Sequence, residues 1–264
     1  MKLKSLFAGF LVGILFLSSR ADEGMWLPML IGKNYEQMKK QGFRLTADDL
    51  YNINQASLKD AIVWFNGGCT GEIVSKQGMI FTNHHCGYDA IAANSTPADN
   101  ILDNGWWAPN MAAEKPIKDM WVSILVRMED VTGRVQEGLA GVPEKDRNKK
   151  LMEINKKIVE EVTKGTGYDA RVSEYYRGNA YYLLIFEKFN DVRLVGTPPQ
   201  SIGKFGGDTD NWVWPRHTGD FSVFRVYANK ENKPAAFSND NVPYVPKRHL
   251  PVSIKGVKNI DFAM

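Results

Sequence analysis

From Ala61 onward the sequence is a succession of short apolar runs interrupted by glycine. The runs "AIVWF", "TGEIVS" and "MIFT" are separated by glycine-containing triplets at 66–68 and 76–78. Short apolar runs bounded by turn residues are typical of β-strands, and glycine permits the tight turns that join antiparallel neighbours. The same character continues in "WVSILVRMEDV", "YYLLIFEKF", "VRLVG" and "FSVFRVY". The pattern therefore predicts a mainly β fold that begins as an antiparallel meander.

The clearest helix is predicted from about Glu144 to Lys164, with Gly165 directly after it as a stop signal. Its apolar side chains recur every three or four residues, which is the spacing of a helix that packs through one face. We expect this stripe to be a packing surface and the charged residues opposite to face solvent. The stripe consists of Leu151, Ile154, Ile158 and Val162.

Two shorter helices are expected before the first strand. Asn34 can cap the segment "YEQMKKQ", which ends before Gly42. Thr46 and Asp49, three residues apart, form the pattern of a capping box at the start of the second helix.

Residues 1–21 have the form of a secretory signal peptide. Lys2 and Lys4 precede an apolar stretch from Leu6 to Leu17, and a small-x-small cleavage site ends at Ala21. The stretch is about a dozen residues long, which is shorter than the roughly 20 residues of a membrane-spanning helix. We therefore expect a mature chain that begins at Asp22, is periplasmic or secreted, and has no membrane partner.

The charge balance argues against proteins that bind polyanions. The chain has 33 basic and 30 acidic residues, and the signal peptide holds Lys2, Lys4 and Arg20 but no acid. The remaining chain is formally neutral, because its basic and acidic residues are then equal in number. Neither a nucleic acid nor an anionic membrane surface is expected as a partner.

The chain has two cysteines, Cys69 and Cys86. In an oxidising compartment an even pair that flanks one compact stretch favours a disulfide over two free thiols. We therefore predict a Cys69–Cys86 bond.

Two histidines stand directly before Cys86, in "MIFTNHHCGYDAI" at the end of an apolar run. From the residues alone they fit a metal site, a catalytic base or an ordinary buried strand end. Zinc bound by His84, His85 and the cysteines conflicts with the spacing, because neighbouring strand residues seldom converge on one tetrahedral ion. Such neighbours also face opposite ways, so only one imidazole can enter a given site. The "DTDN" segment lacks the terminal acid of a calcium loop, and we expect no metal.

Longer motifs connect these features to a known family. The segments "DEGMW", "GGCTGEIVS", "FTNHHCGYDAI" and "PPQSIGKFGGDTDNWVWPRHTGDFSVFRVYA" resemble the bacterial dipeptidyl-peptidase 7 and 11 family of exported serine exopeptidases. The resemblance runs from about Asp22 to the end of the chain. It implies a chymotrypsin-like antiparallel β-barrel with a few helices, the first barrel of a double-barrel peptidase with a helical insertion.

The resemblance also assigns roles to single residues. It makes His85 the general base and Asp220, in "HTGDF", the carboxylate that orients it. Imidazole titrates near neutrality and can carry a proton between a hydroxyl and a leaving amine, while an aspartate fixes its tautomer. Asn211 and Trp212 match family positions that hold the free N-terminus of the substrate. His84 receives no catalytic role.

The third member of a catalytic triad is absent from the sequence, since no serine stands in a "GDSG"-like or "GNSG"-like motif. The resemblance locates that nucleophile in the second barrel. We therefore expect residues 22–264 to be the N-terminal part of a longer enzyme, truncated before the insertion and inactive alone.

The implied substrates are oligopeptides, from which dipeptides are released without a cofactor, and a homodimer is compatible with a full-length protein. "DEGMW" and "NQASLKDAIVWF" resemble the acidic-residue-specific branch somewhat more than the hydrophobic one. A non-catalytic exported β domain that binds peptides stays open as the alternative.

Overall fold

The computed structural model describes residues 26–210 and 213–263. The predicted signal peptide, Asn211 and Trp212 lie outside these residues. A single antiparallel sheet dominates the described residues, so the expected mainly β fold with a few helices is confirmed. Its strands are β1 (Ile62–Phe65), β2 (Cys69–Ile73), β3 (Met79–Thr82), β4 (Trp106–Trp107), β5 (Lys115–Pro116), β6 (Val122–Asp130), β7 (Asp169–Tyr175), β8 (Ala180–Phe189), β9 (Asp191–Thr197), β10 (Ser222–Ala228) and β11 (Val242–Pro243).

The strands follow the order β4-β9-β10-β3-β2-β1-β6-β8-β7, with β5 on β9 and β11 on β10. The predicted meander is present, because β1 pairs with β2 and β2 with β3, both antiparallel. The described pairings end at β4 and β7 and do not close the sheet into a barrel.

The main core lies on the face of the sheet shared by the seven strands β1, β2, β3, β6, β8, β9 and β10. Its largest side chains are fully buried, and the sheet curls around them so that residues from distant strands touch. Phe65 of β1 and Phe224 of β10, for example, have ring centroids 5.0 Å apart. This cluster includes Val63, Phe65, Ile73, Ile80, Val122, Leu194, Phe224 and Val226.

The long helix runs over Glu144–Thr163, close to its predicted bounds. Its predicted stripe packs against a second buried cluster on β8, formed around Leu183 and Ile185. Asn34 precedes the helix Tyr35–Lys40 but its side chain makes no capping bond, whereas the Thr46–Asp49 capping box is present. The described helices are Tyr35–Lys40, Ala47–Leu50, His84–Ala93, Ile101–Asn104, Thr132–Leu139, Glu144–Thr163, Gln200–Gly203 and Gly207–Asp210, with 3-10 turns at Pro28–Lys33, Leu58–Ala61 and Met111–Ala113.

The sequence pattern does not predict several of the elements, among them the helix Thr132–Leu139 and strand β7. The helix Thr132–Leu139 contains two glycines, which weaken the helical signal, but Val135 and Leu139 are buried and hold it against the sheet. Strand β7 is rich in polar residues because it is an edge strand that pairs with β8 alone.

The expectation that His84 and His85 lie at the end of a strand is wrong. Strand β3 ends at Thr82, Asn83 has an extended backbone, and both histidines begin the helix His84–Ala93. The stretch after them is rich in alanine, which favours the helix once the strand has ended.

Candidate active site

The candidate site lies where β3 ends and β10 begins. The two strands are antiparallel neighbours, with Ser222 opposite Thr82. The residues that follow β3 therefore lie beside those that precede β10. This register brings His85 and Asp220 together although 135 residues separate them.

Asp220 faces the first turn of the helix His84–Ala93 with both carboxylate oxygens. Its Oδ1 accepts a hydrogen bond from the main-chain N–H of His85 at 3.1 Å, and its Oδ2 lies 2.7 Å from His85 Nδ1. Because Nδ1 is directed at the carboxylate, the second ring nitrogen, Nε2, is the one that can exchange a proton with a substrate or nucleophile. The side chain of His85 is 69% exposed and that of Asp220 26%, so the imidazole remains accessible while its partner is largely covered.

The electrostatics of Asp220 favour the charged form. Burial raises its pKa, but hydrogen bonds from the His85 main chain and ring, together with the nearby imidazole, more than offset this effect. The pKa of Asp220 therefore lies below its ordinary value of 3.8. A carboxylate at a helix N-terminus is further favoured by the unsatisfied N–H groups there.

His84 has a different environment from His85 because successive helix residues point in different directions. It is 1% exposed, and its Nδ1 lies 3.1 Å from Thr197 Oγ1 on β9. The Thr197 hydroxyl donates to Pro198 O, so it accepts from His84 Nδ1–H. Burial lowers the pKa of His84, the Asp220 charge opposes this effect and His85 adds to it. As expected, only one of the two imidazoles reaches the site. The two rings diverge because both residues lie in a helix, and not because they alternate along a strand.

The predicted Cys69–Cys86 disulfide is present and links β2 to the helix His84–Ala93, with the two Cα atoms 6.1 Å apart. His85 has a ring nitrogen within 4.8 Å of these sulfurs, and this trio is the one potential ligand cluster among the residues that the structure describes. Its sulfurs are bonded to each other and offer no thiolate, which is the form that binds zinc.

Comparison with known proteins identifies the family. The family model described as Peptidase S46 matches residues 21–264. The chain belongs to the peptidase S46 family. This result confirms the resemblance that the motifs indicated.

Relatives with assigned names match nearly the whole chain. The Asp/Glu-specific dipeptidyl-peptidase of Flavobacterium psychrophilum is 49% identical over 97% of this chain and 36% of its own length. Dipeptidyl-peptidase 7 of Capnocytophaga gingivalis is 51% identical over 93% of this chain and 34% of its own. The chain thus spans about a third of the length of these relatives.

The solved structure of a relative is also similar. The crystal structure of Porphyromonas endodontalis DPP11 in complex with the dipeptide Arg-Asp superposes with a TM-score of 0.85 at 46% identity. The match covers 91% of this chain and 36% of that one.

The described helices include none that is long and apolar enough to cross a membrane.

The structure brings together two of the four predicted functional residues, His85 and Asp220. Asn211 and Trp212 lie outside the described residues, so their predicted role stays a prediction. Sequence reasoning missed Asn83, whose side chain also contacts Asp220. Asn83 stands in the segment "FTNHHCGYDAI", but a single sequence does not reveal which way its amide points.

Proposed function

We propose that this chain is the His- and Asp-bearing part of an exported serine-type dipeptidyl-peptidase that releases dipeptides from the N-termini of oligopeptides. The observation that carries the proposal is the 2.7 Å contact between His85 Nδ1 and Asp220 Oδ2, with the imidazole exposed at the surface. Membership of a peptidase family and the names of the relatives support the same reaction class.

In the proposed mechanism His85 Nε2 takes the proton of a serine hydroxyl as that oxygen attacks the scissile carbonyl. The proton then passes to the leaving amine, and water repeats the cycle on the acyl-enzyme. Asp220 holds the imidazole with Nδ1–H toward the carboxylate and stabilises the imidazolium that forms. The serine is supplied by the part of family proteins that this chain does not span, and no cofactor takes part.

The fold forms part of the proposal as well. Residues 22–264 are proposed to contribute the first barrel of a chymotrypsin-like pair, because strands from both halves of the curled sheet enclose the main core. Residues 1–21 are proposed to direct export to the periplasm or medium. The homodimer stays a prediction.

Asn211 and Trp212 are proposed to hold the free ammonium group of the substrate, Asn211 through its side-chain carbonyl. Their neighbours support this, because the loop on either side is tied together close to Asp220. Gly219 N donates to Ile202 O at 3.0 Å, and Thr218 Oγ1 donates to Phe205 O at 2.9 Å. Whether cleavage is specific for acidic residues stays open, since an Asp/Glu-specific dipeptidyl-peptidase and a dipeptidyl-peptidase 7 are about equally similar to this chain.

The test uses a family-length protein that carries this chain and measures dipeptide release from peptides with free N-termini. We expect His85→Ala to abolish turnover and Asp220→Asn to lower kcat on the order of 10⁴-fold, because the imidazole then loses its tautomer control. N-acetylated peptides should be poor substrates, because they lack the ammonium group.

The matched control is His84→Gln, which replaces the adjacent imidazole with an amide whose NH₂ group can donate to the Thr197 hydroxyl. This variant should keep measurable turnover. Equal losses in the folded His84 and His85 variants would overturn the assignment of roles, and turnover by a protein without any family serine would favour another nucleophile. Peptide binding without hydrolysis by the wild type would favour the non-catalytic alternative.

A further inference from the structure

Asn83 lies between the end of β3 and the helix that carries His85, and it touches Asp220 twice. Its amide Nδ2 is 3.2 Å from Asp220 Oδ2 and 3.2 Å from the main-chain oxygen of the same residue. Oδ2 is also the oxygen that receives His85 Nδ1. One carboxylate oxygen is therefore shared by the imidazole and the amide.

The orientation of the Asn83 amide follows from the chemistry of its partners. Both partner atoms belong to Asp220, and a carboxylate oxygen and a main-chain carbonyl oxygen can only accept hydrogen bonds. The NH₂ group must face them, since the opposite orientation would place three oxygens against one another.

The main chain of Asn83 is held from the other side. Its carbonyl oxygen accepts a 2.7 Å hydrogen bond from the hydroxyl of Ser222, a residue that is fully buried on β10. It also accepts from the main-chain N–H of Gly87 in the following helix turn. These two hydrogen bonds fix the main chain of Asn83, and they thereby fix the position from which its side-chain amide reaches Asp220.

We propose that Asn83 is a positioning residue that fixes the rotamer of the Asp220 carboxylate, so that Oδ2 stays aligned with His85 Nδ1. Without the amide, one of the side-chain contacts that fix the carboxylate is lost, and the imidazole loses part of its orientation. This inference rests on the proposed peptidase role of the pair. The geometric part of it can be tested on this chain without any turnover.

The first experiment is a ¹³C NMR titration of the Asp220 carboxyl group in this chain. Asn83 donates to the charged form of the carboxylate, so its removal should raise the pKa of Asp220. We expect an upward shift in Asn83→Ala and a larger one in Asn83→Asp, which places a second carboxylate against the first. The ¹⁵N shifts of the His85 ring should report a mixed tautomer in both variants and mainly Nδ1–H in the wild type.

The matched control is Asn94→Ala, at the other end of the same helix. Asn94 Nδ2 donates to Ala90 O at 2.8 Å, far along the helix from Asp220. This variant should lower thermal stability without moving the Asp220 titration or the His85 tautomer. An unchanged Asp220 titration in folded Asn83→Ala, or the same change in Asn94→Ala, would overturn the proposal.

The second experiment places Asn83→Ala in the family-length protein and separates kcat from KM. A positioning role predicts a loss in kcat on the order of tenfold, equivalent to about 1.4 kcal/mol, with KM nearly unchanged. A rise in KM with kcat unchanged would overturn the positioning role. If the wild type itself shows no turnover, the proposed function fails, but the NMR result still decides whether Asn83 positions the carboxylate.

Discussion

His84 and His85 are the same residue type in adjacent positions, yet their side chains have opposite surroundings. The imidazole of His84 is enclosed by Thr197 of β9 and by Gly203, where an added Cβ would overlap the ring. Its Nε2 is buried without a hydrogen-bond partner in the described structure. A proton on that nitrogen would be a buried, unpaired charge, so burial lowers the pKa of His84 and keeps the ring neutral.

This environment predicts a specific loss of stability in acid. The unfolded chain binds a proton at His84 near pH 6.5, whereas the folded chain resists it to lower pH. The stabilisation is complete above pH 6.5 and is lost as the pH falls from there through the folded pKa. Urea unfolding at several pH values should show this slope in the wild type.

The control for the acid slope is His84→Gln, which cannot titrate. The difference in unfolding free energy between wild type and variant should fall steadily as the solution is acidified below pH 6.5. A difference that is independent of pH would show that His84 does not contribute. Asp220 affects stability at lower pH. Its pKa is lowered in the folded chain, so the stability that it contributes is lost only as the pH falls below about 3.8.

At the scale of the element, the helix His84–Ala93 is fixed by close contact with β10. Gly87 lies against the sheet so tightly that an added Cβ would be 2.8 Å from Phe224 Cζ and 2.8 Å from Ser222 Oγ. Both of these residues are fully buried. The helix that presents His85 can therefore approach Asp220 only because residue 87 has no side chain.

Gly87→Ala should lower the free energy of unfolding by about 1–3 kcal/mol, since overpacking forces the helix away from the sheet. Gly133→Ala is the matched control: this glycine also lies in a helix, but its added Cβ would meet nothing within 4 Å. The control should be neutral or more stable by up to ~1 kcal/mol. Chemical denaturation measures both variants, and equal effects would contradict the packing argument.

For the whole molecule, the Cys69–Cys86 disulfide joins the sheet to the helix that carries His85. It closes a loop with a sequence separation of 17, which contains β3 and most of β2. Both cysteines are half-buried and pack against the main core, so the cross-link borders the folded interior. Its loss should be felt by the entire cooperative unit.

The double variant Cys69→Ala, Cys86→Ala should be less stable than the oxidised wild type by about 3 kcal/mol, mainly because its unfolded state regains loop entropy. Guanidinium unfolding with and without reductant provides the measurement. Reductant should lower the stability of the wild type and leave the double variant unchanged. A double variant as stable as the oxidised wild type would show that the bond contributes little.

Local patterns determined much of the fold. The strands of the meander, the long helix and the Thr46–Asp49 capping box follow from side-chain periodicity and turn residues, which act over a few positions. The polar edge strand β7 and the short helix Thr132–Leu139 do not, because burial against β8 holds them in place against a weak local signal.

The candidate site divides in the same way. The sequence by itself predicted a disulfide at the cysteine next to His85. Through the family motifs it also predicted that Asp220 is the partner of His85. Only the tertiary structure decided that His84 is buried, that Asn83 shares the carboxylate, and how His85 meets Asp220. The physical reason is that the antiparallel register of β3 and β10 sets contacts between residues some 135 positions apart, and neither strand encodes its partner locally.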